Sequence, residues 1–528
     1  MLQRLHRYLS GPGMIAASVV LLATIPLLFV VYNGLQLSAE RWAALWSGRL
    51  PALMWNTLTL AFWVALGSFT LGVSCAWIIG RRQFAGRTLA TWLMVLPLTI
   101  PTYVYAYIYT ALLEDDGWLG QLWHAVFGHD AAIPDLYNVG GVALVLSLAG
   151  YSYIFLLVRA ALMRSNRNLE EMAQIQGASG RTVFFRVTLP LMRPAVAAGL
   201  ALVVLHVLSD FGAVSMLRYQ TFTLSIYLQM SGRFDYQAAA GLSLVLLLIS
   251  LTFLVLERFF RKRQRYYARA QSRVVVAKAA TRGELILLWS WLGLVTLFAF
   301  GLPVAWMLSW SWEAWANQMI GAEFWGYVNN SVIVAVLAAT VATACGLPIG
   351  LYHTRRHSLL SSTFLHLSSI GFVLPGPVVA LGILTFVIAG FSSLYGSLAV
   401  LVMALVVRFL PLAIQSQEAA MQQLTPSIEQ AGRIHGAGPL ENLWRVVLPM
   451  MKGGMISAWV LVFIDVLKEL PATLLLRPVG FDTLPVRIWI EASEEMLELA
   501  APAALMLIIS AFPALWIMMR SEIPRRQS

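Results

Sequence analysis

Twelve predominantly apolar stretches, each about 20 residues long, alternate with short polar segments along the whole chain. Their length matches the hydrocarbon thickness of a bilayer, which a spanning helix must cross. The pattern therefore predicts an all-α integral membrane protein with about twelve transmembrane helices. The predicted spans lie near residues 14–32, 57–79, 90–112, 140–163, 194–216, 238–256, 285–308, 330–352, 363–388, 395–417, 454–476 and 497–519.

The composition supports the same class. Of 528 residues, 59% are hydrophobic and 12% are charged, and the mean hydropathy is +0.74. A soluble domain carries about 25% charged residues, so this chain has too few charged side chains to cover a water-exposed surface. The first span is too long for a signal-peptide core and no cleavage site follows it, so it is expected to remain a helix. Cys75 and Cys345 lie in apolar stretches without metal-binding or disulfide spacing, and we interpret both as small buried side chains.

The charge distribution predicts the orientation of the chain. When both termini are placed in the cytoplasm, the cytoplasmic segments hold most of the 36 Lys and Arg residues, as the positive-inside rule requires. The loop after the third span, by contrast, carries five acidic residues and no basic one. The net charge of +11 comes from scattered Arg without a basic face, so a nucleic-acid partner is not expected.

The chain contains an internal duplication. A shift of 274 residues aligns Asn56 with Asn330 and Pro101 with Pro375, and beyond the acidic loop the shift becomes 259. Two halves of six spans each are therefore predicted, as a parallel repeat around a central pathway. The predicted segments are 1–50 with the first helix, 51–257 as the first repeat domain, 258–284 as a basic cytoplasmic linker, 285–324 with the seventh helix, 325–519 as the second repeat domain and 520–528 as a cytoplasmic tail. The linker is expected to be solvated and to contact anionic lipid headgroups, with a regulatory site as the alternative.

A cytoplasmic segment of each half has its own pattern, in which a short helix is followed by Gly and then by a second apolar stretch. We call residues 169–190 the first elbow and residues 428–449 the second elbow. In both, twelve residues separate the Gly, at 177 or 436, from a Leu-Pro pair. The Gly is expected to leave the helix through a left-handed turn, and the Pro to break the second helix before the next span. Such elbows suit the docking of a partner protein; ordinary re-entry loops are the alternative.

This pattern resembles the E-A-A–x3–G signature of binding-protein-dependent ABC importer permeases of the type I fold. Met172 stands where the family has Ala, Gln430 where it has Glu, and Gly432 where it has the second Ala. The resemblance implies that each elbow is a coupling helix seated in a groove of an ATP-binding subunit, and that a periplasmic binding protein delivers the substrate. The residues implied in coupling are Glu170, Glu171, Ala173, Gly177, Leu189, Pro190, Glu429, Gln430, Ala431, Gly436, Leu448 and Pro449.

The energy source is expected to lie outside the chain. No lysine precedes Ser or Thr, so a phosphate-binding loop for ATP is absent and the chain is not expected to be an enzyme. Two ATPase subunits would bind ATP and Mg²⁺. The alternatives are a gradient-driven secondary transporter, for which ionisable residues within the spans would serve as relays, and a membrane-embedded enzyme, which no metal-ligand spacing favours. Candidate residues lining a pathway are Asp210, Asp465, Lys468 and Glu469.

The substrate is suggested only by resemblance. The segments Ser209–Ala213 and Lys468–Thr473, with Arg218 and Arg477, resemble those of the fused ferric iron permeases of bacteria. Thiamine permeases share the fused architecture and are the alternative. The resemblance implies ferric iron import across the inner membrane, without assigning metal-coordinating ligands to this chain.

Overall fold

The computed structural model describes residues 11–164, 168–262, 278–279, 281–356, 358–369, 371, 374–422, 424, 432, 434, 436 and 438–522. The described residues are almost entirely helical, as predicted, apart from the two-residue strands β1 (Arg82–Gln83) and β2 (Lys278–Ala279). The helices of the first half are α1 (Gly11–Leu35), α2 (Ala39–Gly48), α3 (Leu50–Arg81), α4 (Arg87–Val95), α5 (Thr102–Leu113), α6 (Trp118–Phe127), α7 (Val139–Arg164), α8 (Asn168–Ile175), α9 (Gly180–Val183), α10 (Leu189–Ser209), α11 (Gly212–Met216), α12 (Phe222–Ser231) and α13 (Tyr236–Lys262).

The helices of the second half repeat much of this order. They are α14 (Arg282–Thr296), α15 (Leu302–Ala316), α16 (Glu323–Arg355), α17 (Leu359–Ser368), α18 (Gly376–Gly390), α19 (Leu398–Met421), α20 (Pro439–Asn442), α21 (Leu448–Met450), α22 (Lys452–Leu467), α23 (Pro471–Leu476), α24 (Leu484–Ser493) and α25 (Leu497–Glu522). Among the described residues, nine helices are long and apolar enough to cross a membrane, and two bent pairs raise the number to eleven. The chain is therefore a multi-pass membrane protein.

The third and ninth apolar stretches are interrupted at aligned prolines. In the first half, residues 87–99 and 102–113 form two helices that meet at 95°. In the second half, α17 ends at Ser368 and the 15-residue α18 begins after Pro375. Pro101 and Pro375 have extended ψ angles of 152° and 149°, and each lies directly before its helix. Because proline lacks the N–H that a preceding turn would need, the chain can start a new helix there at a different angle.

The fifth and eleventh spans have different bounds from those predicted. The fifth helix runs from Gly180 to Ser209 and stops at Asp210, whereas the prediction continued to 216. The eleventh is bent by 66° between Met450 and Lys452 and ends at Leu467. Beyond each stop lies a short separate helix, α11 or α23. A run of apolar residues therefore did not reveal a change of helix axis inside it.

Three π-turns each end directly before a Leu-Pro pair. They are Phe184–Thr188, Leu297–Gly301 and Leu443–Val447, and in each the Leu N–H donates to the carbonyl five residues earlier. The ring of a helical proline clashes with the carbonyl four residues earlier, and a wider turn removes that clash. The break predicted at Pro190 does not occur, because the π-turn carries the helix past the proline. The same turn precedes Pro449, before the bend at Met450.

The π-turn of the seventh span has its own hydrogen-bond partners. Tyr105 and Tyr109 of α5 donate from their hydroxyls to the carbonyls of Ala299, at 2.6 Å, and Phe298. In a bilayer, a carbonyl displaced from the helical ladder must find another donor inside the protein. Both buried tyrosines supply one, which holds the turn against α5.

The contacts of the chain form two compact units that differ from the two sequence halves. One comprises Leu45–Leu224 and Val245–Glu313, which adds most of the seventh span to the first repeat. The other comprises Met1–Ala44, Ser225–Leu244 and Ala314–Ser528, which adds α1 to the second repeat. Within it, α1 packs on α18, where a Cβ at Gly382 would collide with the Pro26 carbonyl. The first helix of each half thus packs with the other repeat.

The end of the linker is held by main-chain and ionic contacts. β1 pairs in parallel with β2, and Arg82 Nη2 lies 3.1 Å from a carboxylate oxygen of Glu284. Glu284 also forms a capping box with Thr281 at the start of α14. The basic run predicted to contact lipid lies outside the described residues from 263 onward. The domain boundaries given above stay predictions.

Small residues allow the closest helix contacts. The most extensive pairing, α3 with α7, brings Gly72 so near Ile154 that an added Cβ would lie 2.8 Å from the Ile154 Cβ. Membrane helices associate largely through such close packing. We expect Gly72→Leu to lower the thermal stability of the solubilised protein by about 1–3 kcal/mol through overpacking.

Fluorescence-detected size-exclusion chromatography after heating would measure this effect. Gly293→Leu in α14 is the matched control, because Gly293 is exposed and nothing lies within 4 Å of its added Cβ. Equal stability of the two variants would show that the α3–α7 contact is not tightly packed.

Candidate functional site

The first elbow leaves its helix through a left-handed glycine. Gly177 has a φ of +85°, the Ala178 N–H donates to the Ala173 carbonyl at 3.0 Å, and the Gly177 N–H donates to Gln174 at 2.9 Å. This pair of bonds is a Schellman motif, which satisfies the carbonyls at the end of α8. Gly436 of the second elbow has a φ of +87°. The left-handed turn predicted at both positions is present.

Large apolar side chains are exposed at aligned positions of the two elbows. Ile175 and Phe185 are 85% and 64% exposed, and the aligned Ile434 and Trp444 are 83% and 65% exposed. Large apolar side chains that stay exposed at aligned positions indicate a protein-binding surface. Sequence reasoning missed Ile175 and Ile434, although their alignment under the 259-residue shift was available as a signal.

The predicted coupling residues divide into exposed and buried groups. Glu171 is exposed and Ala173 is partly exposed, whereas Glu170 is buried and forms an ion pair with Arg81 at 2.7 Å. Leu189–Pro190 and Leu448–Pro449 follow the π-turns, and of these four residues only Pro449 is exposed. Glu429, Gln430 and Ala431 lie outside the described residues.

The first-half break of the fifth span is capped by Asp210. Its Oδ1 accepts hydrogen bonds from the N–H groups of Ala213, at 3.0 Å, and Val214, at 3.4 Å. Its Oδ2 accepts from the Thr102 hydroxyl at 2.5 Å. Asp210 therefore satisfies N–H groups at the start of α11, which would otherwise lack partners, and joins that start to α5 through the Thr102 hydroxyl.

Glu469 caps the corresponding break in the second half. Its carboxylate accepts from the N–H groups of Ala472 and Thr473, each at 3.1 Å, and from the Thr473 hydroxyl. Arg408 of α19 adds an ion pair at 2.7 Å, and the Glu469 side chain is 1% exposed. Both carboxylates thus bind their own main chain, and pathway lining by them stays a prediction.

The other candidate pathway residues bind each other. Lys468 Nζ lies 3.0 Å from Asp465 Oδ1, three residues earlier on the same helix end, and both side chains are partly exposed. Within the part of the chain that the structure describes, no group of three or more His, Cys, Asp or Glu side chains is placed to hold a metal ion.

The two breaks use different side chains around the same carboxylate position. Where the first half has Thr102, Ala149 and Gly212, the aligned residues of the second half are Gly376, Arg408 and Pro471. A Cβ on Gly376 would collide with the Arg408 guanidinium and lie 2.6 Å from Pro471 Cγ. Gly376 therefore leaves space for the guanidinium, whereas a Thr hydroxyl fills the corresponding position in the first half.

The loops after the breaks are held alike in both halves. Asn56 and Asn330 donate from their side chains to loop carbonyls at 3.0 and 2.9 Å. The following residues, Thr57 and Ser331, accept from the first N–H of α12 and α24. These contacts repeat within each unit and support the sequence alignment of the halves.

An ion network is specific to the second-half loop. Arg477 pairs with Asp482, and Arg487 pairs with Glu491 at 2.6 Å. Burial raises the pKa of Glu491 above its usual range, and the hydrogen bonds from Arg487 oppose that rise. Of these groups, the sequence analysis singled out only Arg477.

A family profile described as "Binding-protein-dependent transport system inner membrane component" matches residues 68–266 and 342–522, more than half of the chain. The chain belongs to this family. It is a multi-pass inner membrane protein with two tandem copies of the family domain, as the elbow pattern indicated.

Two relatives named for ferric transport match most of the chain, and one named for sulfate transport matches less than half. A Haemophilus influenzae Fe(3+)-transport system permease protein, FbpB 2, is 30% identical over 92% of this chain and 93% of its own length. An Actinobacillus pleuropneumoniae ferric transport system permease is 24% identical over 91% of this chain and 73% of its own. The Escherichia coli sulfate transport system permease CysT is 31% identical over 45% of this chain and 86% of its own.

The left-handed glycine of the first elbow generates one prediction. Gly177→Ala is expected to cost about 1 kcal/mol of local stability, because a Cβ is disfavoured at positive φ, while Gly177→Asn is better tolerated. Nothing lies within 4 Å of the added Cβ, so the strain comes from the main chain alone. Limited proteolysis of the elbow in the solubilised protein would measure it.

Gly180→Ala is the control for that experiment, since its surroundings are equally open and its φ is ordinary. Faster cleavage is expected only for the Gly177 variants, with Ala faster than Asn. The same cleavage rate for Gly177→Ala and Gly180→Ala would contradict the role of the left-handed turn.

The two kinds of break generate a second prediction. Arg408→Ala should cost about 3 kcal/mol, because it leaves Glu469 buried without its cation. Gly376→Thr should also destabilise the protein by collision. The triple variant G376T/R408A/P471G copies the first-half set, and we expect it to be more stable than the sum of the single effects predicts.

Thermal unfolding of the three single variants, including Pro471→Gly, and of the triple variant in the same detergent would give the coupling between these positions. Additive losses in the triple variant would show that the two sets of side chains are not alternative solutions to the same packing problem.

Proposed function

We propose that this chain is the permease subunit of an ATP-driven importer that carries ferric iron across the inner membrane. The similarity of nearly the whole chain to full-length permeases named for ferric transport carries this proposal. The sulfate permease aligns with less than half of the chain, so it resembles a single repeat. The fused arrangement thus favours iron over sulfate as the cargo.

Two ATP-binding subunits would dock on the elbows from the cytoplasm. Support comes from the exposed pairs Ile175 with Phe185 and Ile434 with Trp444, which give each half an apolar surface for a partner groove. ATP and Mg²⁺ would bind on those subunits. The positive-inside distribution supports a cytoplasmic position for both termini, on that same side.

A periplasmic binding protein would deliver the iron to the loops on the other face. ATP binding would then favour an outward-open state and hydrolysis would reset it, so the nucleotide supplies the free energy that separates the two states. Asp210 and Glu469 already accept main-chain hydrogen bonds, so we propose that they shape the break rather than strip iron from the binding protein. The cargo would pass without a high-affinity site in this chain.

Sulfate is the second candidate, because sulfate permeases match one half of the chain at comparable identity. Uptake of radioactive ferric iron, sulfate and thiamine, in cells with and without the gene, distinguishes the three cargoes. Loss of iron uptake alone is the expected result. Loss of sulfate or thiamine uptake instead would keep the architecture and overturn the cargo.

The docking surface can be tested apart from the cargo. We expect Ile175→Glu together with Ile434→Glu to abolish co-purification of the ATP-binding subunits, because two charges would have to be buried at the interface. Val479→Glu is the control, since Val479 is fully exposed and lies in the loop after α23, which is part of neither elbow. Undiminished co-purification of the double variant would place the ATP-binding subunits elsewhere.

A further inference from the structure

One buried carboxylate connects α8, the first helix of the first elbow, to three other parts of the same unit. Glu170 Oε1 accepts from Arg81 Nη2 at 2.7 Å and from the Thr188 hydroxyl at 2.9 Å. Arg81 Nη1 donates in turn to the Leu162 carbonyl at 3.0 Å. The end of α3, the end of α7, the start of α8 and the last residue of the π-turn therefore meet at a single oxygen and its guanidinium partner.

This cluster is buried although the elbow around it is not. Arg81, Glu170 and Thr188 are at most 6% exposed, whereas Leu169 and Met172 beside them are half exposed or more. Burying an ion pair costs desolvation energy and adds little net stability over an apolar contact of the same size. The presence of the pair is better explained by geometry. The guanidinium of Arg81 donates charge-assisted hydrogen bonds from two nitrogens, one to Glu170 and one to Leu162, and these bonds fix the arrangement of the groups.

The rest of α8 gives the elbow little attachment. An eight-residue helix is too short to be stable without tertiary contacts, and most side chains of α8 face away from the protein. A partner that moved such a helix would displace the loop without moving the spans unless something rigid joined them. The cluster supplies that connection.

We propose that Glu170 is a positioning residue that fastens the first elbow to α3 and, through Thr188 and the π-turn, to α10, so that displacement of the elbow is transferred to the spans. The inference rests on the proposed docking of ATP-binding subunits at the elbows. In this proposal Arg81 and Thr188 are positioning residues as well. The aligned second-half position of Thr188 is Val447, which cannot donate this hydrogen bond.

The test uses the complete transporter in proteoliposomes, with its ATP-binding subunits and a binding protein loaded with radioactive ferric iron. Iron uptake and ATP hydrolysis are measured together, and their ratio is the readout. Glu170→Gln keeps the shape of the side chain and removes its charge. We expect it to assemble and hydrolyse ATP while the uptake per ATP falls by about tenfold or more.

Glu284→Gln is the matched control, because it breaks the ion pair of the adjacent Arg82 without touching the elbow. Its ratio should equal that of the parent protein. Thr188→Val, which copies the second half, should lower the ratio by about threefold at most. Arg81→Lys keeps the charge but cannot bond Leu162 and Glu170 with the same fork, and it decides the matter if Glu170→Gln does not assemble.

The inference is overturned if Glu170→Gln has a lower melting temperature but an unchanged iron uptake per ATP. The same result for Arg81→Lys overturns it if Glu170→Gln does not assemble. The cluster would then be a purely stabilising contact. The proposed docking would fail in a different way, because the ATP-binding subunits would then still co-purify with the Ile175→Glu/Ile434→Glu variant. The two failures are thus separable.

Discussion

A main-chain N–H or C=O inside a bilayer must find its partner within the protein, because no water is available there. This chain interrupts its helices repeatedly, and three of the interruptions described above come with a supplied partner. Asp210 and Glu469 accept from the first N–H groups of α11 and α23. Tyr105 and Tyr109 donate to the carbonyls of a π-turn. The breaks are therefore built features of the fold.

The sequence was sufficient for the parts of the structure that follow from periodicity and local conformation. Runs of about 20 apolar residues located the spans, and the repeated spacing from Gly177 and Gly436 to Leu-Pro located the elbows. A glycine after a short helix predicted the left-handed turn, since few other residues adopt positive φ without strain. The chain's assignment to a family of transport components followed from the same motif.

Other features could not be predicted because they depend on contacts between distant residues. An apolar run is equally compatible with a straight helix and with two helices at 95°, so the break before Thr102 was missed. Leu-Pro was expected to end a helix, but the wider π-turn before it removes the clash and lets the helix continue. The burial of Glu170 depends on Arg81, 89 residues earlier, and no spacing rule connects the two.

The breaks after the fifth and eleventh spans share some features and differ in others. At both Asp210 and Glu469, a carboxylate accepts hydrogen bonds from main-chain N–H groups. The side chains around the two carboxylates differ in size and charge. If the carboxylates were there to bind cargo, an arginine in direct contact with one of them would weaken a cation site by competing for its oxygens. A capping role tolerates that arginine, because the N–H groups and the guanidinium approach the carboxylate together. The geometry of the break, rather than a charge offered to the cargo, is therefore what both halves share.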